Sequence, residues 1–456
     1  MSVRFRLLLF FCLFSMATLL QPIEGRGAWS PDVSHFYGPG GMMVYHVESH
    51  ANPLIMVEIL VPGGASHDPD GKEGVASLVA WMFNEGGGEM GSEAFREKLD
   101  YYGISLSASA GRDALTVSFS TLSAHLDVGW KMLMDALLKP RFDPTDLERA
   151  VADQVASLKK AQENPDSVAS KALVRAIYGD HPYGRPSQGT PETLAAIGRN
   201  DLMRFHEMAF RLPNLVLAVA GDITLEKLKL LVDDSFSAMN NIPSPLRPTP
   251  LAFSKNRPDR QHVELDVPQT AIRLGAVGIH RHDPDYYAMV VMNQILGGGG
   301  FTSRLTEEIR EKRGLTYGVF SYFSPLSGQG PFVVGMKTKT ASVEESLVLL
   351  RRELTRIAQE EVDEKELEDV KLYLTGSFPL SLDGLSKLAG IWGVIGFYQR
   401  GLDYLEKWPG RIRQVTAGDI RRVAKRILDL DRFHTVTVGR TVEDKGAEPG
   451  NADSKP

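Results

Sequence analysis

Residues Ala65–Gly71 read ASHDPDG, and residues His280–Tyr287 read HRHDPDYY. The shared His-Asp-Pro-Asp core places His67 and His282 215 residues apart. Each copy follows an apolar, strand-like run, LIMVEILVPGG (54–64) or TAIRLGAVGI (270–279), and each then enters a helix-like stretch. Further along, GRNDLMRFHEMAF precedes NLVLAVAGDIT, while TAGDIRRVAKRIL precedes FHTVTVGRTVE. Asp201 and Asp419 are 218 residues apart, and so are Gly221 and Gly439. A nearly constant offset across several elements signals a duplicated domain.

Within each half, strand and helix signals come in blocks. ASAGRDALTVSFSTL (108–122) and GPFVVGMKTK (330–339) alternate with the period of a half-buried strand. LSAHLDVGWKMLMDALL, TDLERAVADQVASLKKAQ, SVEESLVLLRRELTRIAQE and DEKELEDVKLYLTGSF carry the 3.6-residue period of amphipathic helices. Blocks of this kind predict α+β architecture rather than a doubly wound sheet. The expected organisation is a leader (1–27), a first domain (28–239), a proline-rich linker (240–261), a second domain (262–442) and a polar tail (443–456).

The leader has two arginines in MSVRFR and an apolar run, Leu7–Leu20, too short to span a bilayer comfortably. Small residues around Gly25 and Gly27 suit cleavage. The only cysteine, Cys12, lies inside this run, so the mature chain offers no disulfide, thiol nucleophile or thiolate ligand. These features predict export, to the periplasm in a bacterium. The net charge of −6 favours neither nucleic acid nor an anionic membrane surface.

Two stretches carry a family resemblance: HPYGRPSQGT (His181–Thr190) and LGGGGFTSRLTEEIREKRGLTYGV (Leu296–Val319). With the duplication, they make the chain resemble the pitrilysin-like (M16) zinc metallopeptidases. The resemblance implies two similar α+β domains packed as a clam around a peptide. Active members carry H-x-x-E-H on a helix: histidines four apart share a zinc ion, and the glutamate takes a proton from metal-bound water. Laid on this chain, the motif falls on Ser77, Leu78, Val79, Ala80 and Trp81. The later E-R-x-V-x-x-x-E helix becomes ERAVADQV, which keeps Glu148 and puts Val155 at the third ligand position. Positions 77, 80, 81 and 155 are thus degenerate zinc-site positions, and no cofactor is expected in this chain. The histidine pairs His46/His50 and His280/His282 read as ordinary polar residues, and His181 reads as a turn or packing residue.

What the resemblance preserves lies in the second half. It gives Arg310 the role of holding a substrate carbonyl and Tyr317 that of stabilising an oxyanion. A helix over roughly Ser303–Arg313, closed by Gly314, would put Tyr317 on the following strand near Arg310. Gly297, Gly298, Gly299 and Gly300 precede that helix and could cradle an extended peptide. The resemblance implies a non-catalytic subunit that pairs with an H-x-x-E-H subunit holding the zinc, and a peptide substrate. The alternative is an inert peptide-binding or scaffold protein of the same fold.

Overall fold

The computed structural model describes residues 32–239, 241–246 and 260–441. The leader and tail, and residues 240 and 247–259 of the linker, lie outside the described residues. Apolar alternation produces eleven principal strands. In the first half these are β1 (Ser34–Tyr37), β2 (Met43–Glu48), β3 (Leu54–Pro62), β4 (Ser105–Ala110), β5 (Ala114–Leu122) and β6 (Val216–Gly221). In the second they are β7 (Arg260–Glu264), β8 (Thr270–Val277), β9 (Val319–Phe323), β10 (Pro331–Thr338) and β11 (His434–Gly439).

The strands form two sheets, ordered β1-β2-β6-β3-β5-β4 and β7-β11-β8-β10-β9. Beyond β1 the two orders correspond strand for strand. Each sheet holds one parallel pair, β2–β6 or β7–β11, and its other pairings are antiparallel. The duplication read from the sequence is therefore a duplication of topology.

The first-half helices are α1 (Val75–Trp81), α2 (Ser92–Tyr102), α3 (Leu126–Leu138), α4 (Pro144–Gln162), α5 (Pro165–Tyr178), α6 (Pro191–Ala195), α7 (Arg199–Ala209) and α8 (Leu225–Phe236). Those of the second half are α9 (Tyr286–Asn293), α10 (Val343–Gln359), α11 (Glu364–Ser377), α12 (Leu385–Phe397), α13 (Tyr404–Arg413) and α14 (Ala417–Ile427). Matching capping devices open α7 and α14, where Asp201 and Asp419 accept from the backbone N–H of Gly198 and Thr416.

Because side chains alternate across a strand, each sheet has two faces to cover. In the first sheet, Val44, Ile55, Val57, Val117 and Leu217 join the core beneath the first-half helices. Tyr45, Val47, Val216, Ala218 and Ala220 form a separate cluster with Leu388, Ala389, Trp392 and Ile395. Those last four residues belong to α12, a helix of the second half. The reverse also holds: Ala169, Leu173 and Ile177 of α5 cover Ala271, Val333, Val436 and Val438 of the second sheet. The two halves have exchanged one helix each.

Glycines make the exchange close. A Cβ on Gly396 would lie 2.5 Å from the Tyr45 ring and 2.6 Å from Val216 Cγ1, and one on Gly393 would lie 2.5 Å from Leu60 Cδ1. Trp392 stacks on Tyr45 with ring centroids 5.4 Å apart. The aromatic residues of GIWGVIGFY thus serve packing between halves.

Polar contacts accompany the exchange. Asp113, buried in the first half, accepts from Tyr183 Oη at 2.6 Å, from Tyr398 Oη at 3.0 Å and from Ser327 N–H at 2.7 Å. Asp166, at the start of α5, pairs with Arg273 at 2.6 Å and Lys337 at 2.9 Å. Replacing Trp392 with Ala should open a cavity at the exchanged helix and cost about 3–5 kcal/mol. Urea denaturation, followed by tryptophan-independent circular dichroism, checks this; an unshifted midpoint would show that α12 does not hold the halves together.

Candidate functional site

Helix α1 follows directly from the first HDPD copy. Asp68 caps it, accepting from Gly74 N–H at 2.7 Å and Ala76 N–H at 2.9 Å. Gly74 sits at φ +102°, a conformation that suits glycine. Burial pushes the Asp68 carboxyl up to about 7, against the opposing pull of those two N–H bonds. Val75, Ala76, Leu78 and Val79 enter the core. Ser77, Ala80 and Trp81 instead line a cleft of about 480 Å³.

The opposite wall is α4. Its buried residues are Asp146 in the first turn and the stripe Leu147, Ala150, Gln154 and Leu158. The Ser77 hydroxyl donates to Gln154 Oε1 at 3.1 Å, and Gln154 Nε2 donates to Gln188 O at 2.6 Å. Gln154, not Val155, is therefore the α4 residue that meets α1 at the emptied site. Val155 is only partly buried and packs on the first-half core, while Glu148 is exposed. The motif template puts the third ligand position at Val155, the neighbour of the residue that meets Ser77. A glutamine inside an otherwise apolar stripe was the available signal.

Trp81 lies under the Arg149 guanidinium, 5.6 Å from ring centroid to charge. Arg149 pairs with Glu85 and with Asp146, the latter at 3.0 Å. Zinc does not fit this donor set. It needs three or four imidazole, thiolate or carboxylate ligands converging on one point. The cleft offers one carboxylate, Asp153, beside serine hydroxyls, glutamine amides and a tryptophan face. Among the described residues, no group of three His, Cys, Asp or Glu is arranged to hold a metal.

The remaining histidines have other work. His46 is buried and bonds to Ile223 O at 2.9 Å, so it is no surface residue as the sequence suggested. His50 bonds to Asp222 at 2.6 Å and Glu48 at 2.9 Å. His280 Nδ1 accepts from His282 N–H at 3.1 Å, and His181 Nδ1 accepts from Tyr183 N–H at 3.1 Å, both closing turns.

One more wall of the cleft is a strand edge. β4 is the last strand of its sheet and, among the described residues, pairs only with β5. Its residues Ala108, Ser109 and Ala110 line the cleft, and Ser105, Ser107 and Ser109 are exposed. Backbone groups on that free edge can accept another extended chain.

In the second half, the equivalent edge strand is β9. The chain reaches it through two π-helical turns, Gln294–Gly298 and Thr306–Glu311, rather than through the regular helix the spacing suggested. Lys312 N–H reaches back five residues to Glu307 O at 3.0 Å. Gly314 ends the turn at φ +61°, as its position implied.

The glycine run is not an open loop. Gly297 is buried, and a Cβ there would lie 2.5 Å from Ser321 N in β9. Gly298 and Gly300 are exposed, and Gly300 adopts φ +58°. Arg310 lies over the Phe301 ring at 4.4 Å and 3.5 Å from the Glu311 carboxylate. Tyr317 occupies the bend before β9 rather than the strand, and 88% of it is exposed. Tyr317 thus has no place in the core, and no hydrogen bond joins it to Arg310.

Two measurements test this geometry. Returning ligands through S77H, A80E and W81H should create a zinc site with Q154E but not with V155E. Zinc content after dialysis reads this directly, and equal binding by both versions would place the α4 register wrongly. The second concerns Asp68. Its folded pKa lies above its ordinary value of 3.8, so its stabilising contribution is complete below pH 3.8 and is lost as pH rises to about 7. Asp68→Asn loses one cap bond, about 1 kcal/mol. It also abolishes this titration, so its destabilisation should shrink as pH rises from 4 to 7. Urea midpoints of both proteins across that range check the sign.

Comparisons with known proteins identify the family. Residues 43–191 match the family described as insulinase (peptidase family M16), and residues 196–374 match the peptidase M16 inactive domain. A solved peptidase M16 inactive domain from Pseudomonas fluorescens is 31% identical, with a TM-score of 0.85 over 91% of this chain and 100% of that one. The non-peptidase homolog YmxG of Helicobacter pylori is 26% identical over 86% of this chain and 89% of its own length. An uncharacterized zinc protease of Streptomyces coelicolor is 29% identical over 79% of this chain and 76% of its own. With both halves matched and the α+β topology repeated, this chain belongs to the peptidase M16 family.

Proposed function

We propose that this chain is the non-catalytic subunit of an exported M16 metalloendopeptidase and works beside a second M16 chain that carries H-x-x-E-H. The observation that carries this reading is the open cleft. Its metal ligands are gone, yet about 480 Å³ of space and the free β4 edge remain. A site retained only as packing has no need of an accessible strand edge. An extended peptide can add to β4 through backbone hydrogen bonds, and the small alternating side chains of SLSASA leave room for it.

The second-half surface supplies chemistry. Tyr317 presents its hydroxyl to solvent, and Arg310 is held against Phe301 with only a long pairing to Glu311. In the complex, Arg310 holds a substrate carbonyl and the Tyr317 hydroxyl donates to the oxyanion of the tetrahedral intermediate. Zinc bound by the partner subunit supplies the activated water. The substrates are unfolded or short exported polypeptides, and the Leu7–Leu20 run supports a periplasmic location.

The names of two relatives, a non-peptidase homolog and an inactive domain, favour a second reading: a peptide-binding or scaffold protein without chemistry. Cleavage assays with an exported H-x-x-E-H relative from the same genome separate the two. The mixture should hydrolyse an unstructured peptide that neither chain cleaves alone. In Arg310→Ala, Tyr317→Phe, the complex should still assemble while kcat falls about 10²–10³-fold. Undiminished turnover leaves only the scaffold reading.

A further inference from the structure

Next to the emptied cleft lies a second one, of about 390 Å³, along α5 and the segment 184–189. Ser187 and Gln188 line both, so the two share a wall. Gln154, which faces Ser77, donates to the carbonyl of Gln188 and so fixes that wall.

Four cations line this second cleft, Arg112, Lys171, Arg175 and Arg185, and no acidic residue does. Leu158, Val174 and Pro186 add apolar surface. Arg175 and Arg185 donate to the Gly179 and Asp68 carbonyls, but the ion pairs of these four cations are weak or few. Arg175 and Arg185 pair with Asp180 and Asp70, whose side chains are 97% and 89% exposed, so water screens both contacts. Lys171 is exposed and has no ion-pair partner among the described residues. Arg112 makes one long bond, 3.5 Å to the Arg185 carbonyl, and no ion pair. Burial holds its guanidinium below the ordinary range. The Asp113 carboxylate offsets this charge only from a distance, since its oxygens are taken by Tyr183, Tyr398 and Ser327, so a largely dehydrated cation with no ion pair of its own stands at the cleft wall, ready for an anion.

Position gives the anion its context. Arg112 lies in the turn between β4 and β5, two residues past Ala110. A chain added to the β4 edge and running past Ala110 would arrive at Arg112.

We infer that the basic cleft is a carboxylate subsite for the bound peptide: it takes a terminal or side-chain carboxylate from the segment extending past Ala110, with an adjacent apolar side chain against Leu158 and Val174. This inference rests on peptide binding at β4 and adds its specificity. Arg112 and Lys171 supply charge-assisted hydrogen bonds to the two oxygens, and Arg175 and Arg185 add positive potential.

Fluorescence anisotropy on the full-length chain tests it, using one labelled unstructured peptide in four forms. These carry a free or amidated C-terminus, and an internal Glu or Gln. Forms with a carboxylate in reach should bind about tenfold more tightly than the fully neutral form. Lys171→Gln, on the surface and safe for folding, and Arg112→Gln should each erase most of that difference while leaving the neutral form unchanged. The termini and side chains are told apart by which substitution carries the effect. Equal binding of all four forms, unmoved by either variant, overturns the subsite and leaves peptide binding intact. No binding of any form overturns both. Inorganic phosphate that binds the chain while the four forms remain equal identifies a free-anion site and also overturns the inference.

Discussion

Each sheet of this protein has a second apolar face that its own half cannot cover, and each half lends the other the helix that covers it. Helix α12 lies on the first sheet, with Trp392 stacked on Tyr45, and α5 lies on the second, with Leu173 and Ile177 against Ala271 and Val436. Buried apolar area of this kind is the main favourable contribution to association of domains. The exchange also fixes where the sites stand. The segment 184–189 follows α5, so the wall shared by the two clefts is set by a helix docked on the opposite half. Asp113 ties the same junction through Tyr183, Tyr398 and Ser327.

Within that frame, the former metal site has become a small hydrogen-bonded wall. A zinc site holds charged or strongly dipolar ligands in place because the ion offsets their mutual repulsion. Without the ion, those ligands would be buried charges lacking a partner, at a cost of several kcal/mol. Ser77 and Gln154 satisfy each other as neutral groups, and Gln154 uses its second polar atom on the Gln188 carbonyl. Trp81 lies under Arg149 and lines the space that remains open. The replacements let these residues stay folded with their polar atoms paired to each other.

The second half is organised differently around the same topology. Where the first half has α1 and α2, the second has α9 followed by π-helical turns. A π turn widens the helix by one residue per hydrogen-bonded ring and re-aims the side chains after it. Here it leaves Phe301 and Tyr317 on the surface beside β9, with Arg310 braced on Phe301. Gly297 belongs to packing, since only a residue without Cβ lets the turn approach β9 so closely.

The sequence by itself determined the duplication, the α+β class and the absence of an H-x-x-E-H motif. Repeat spacing, strand alternation and a motif of five adjacent residues are local properties, legible without knowledge of the fold. It also placed Gly314 at a helix end, because a left-handed turn favours glycine. The tertiary structure alone decided which helix covers which sheet. An amphipathic stripe such as Leu388, Ala389, Trp392 and Ile395 requires burial of a face but does not say against what. The same limit hid Gln154 behind Val155, hid the exposure of Tyr317, and hid the meeting of Arg112 with Lys171, Arg175 and Arg185. Those placements depend on contacts between segments far apart in the chain, and periodicity within a segment carries no information about them.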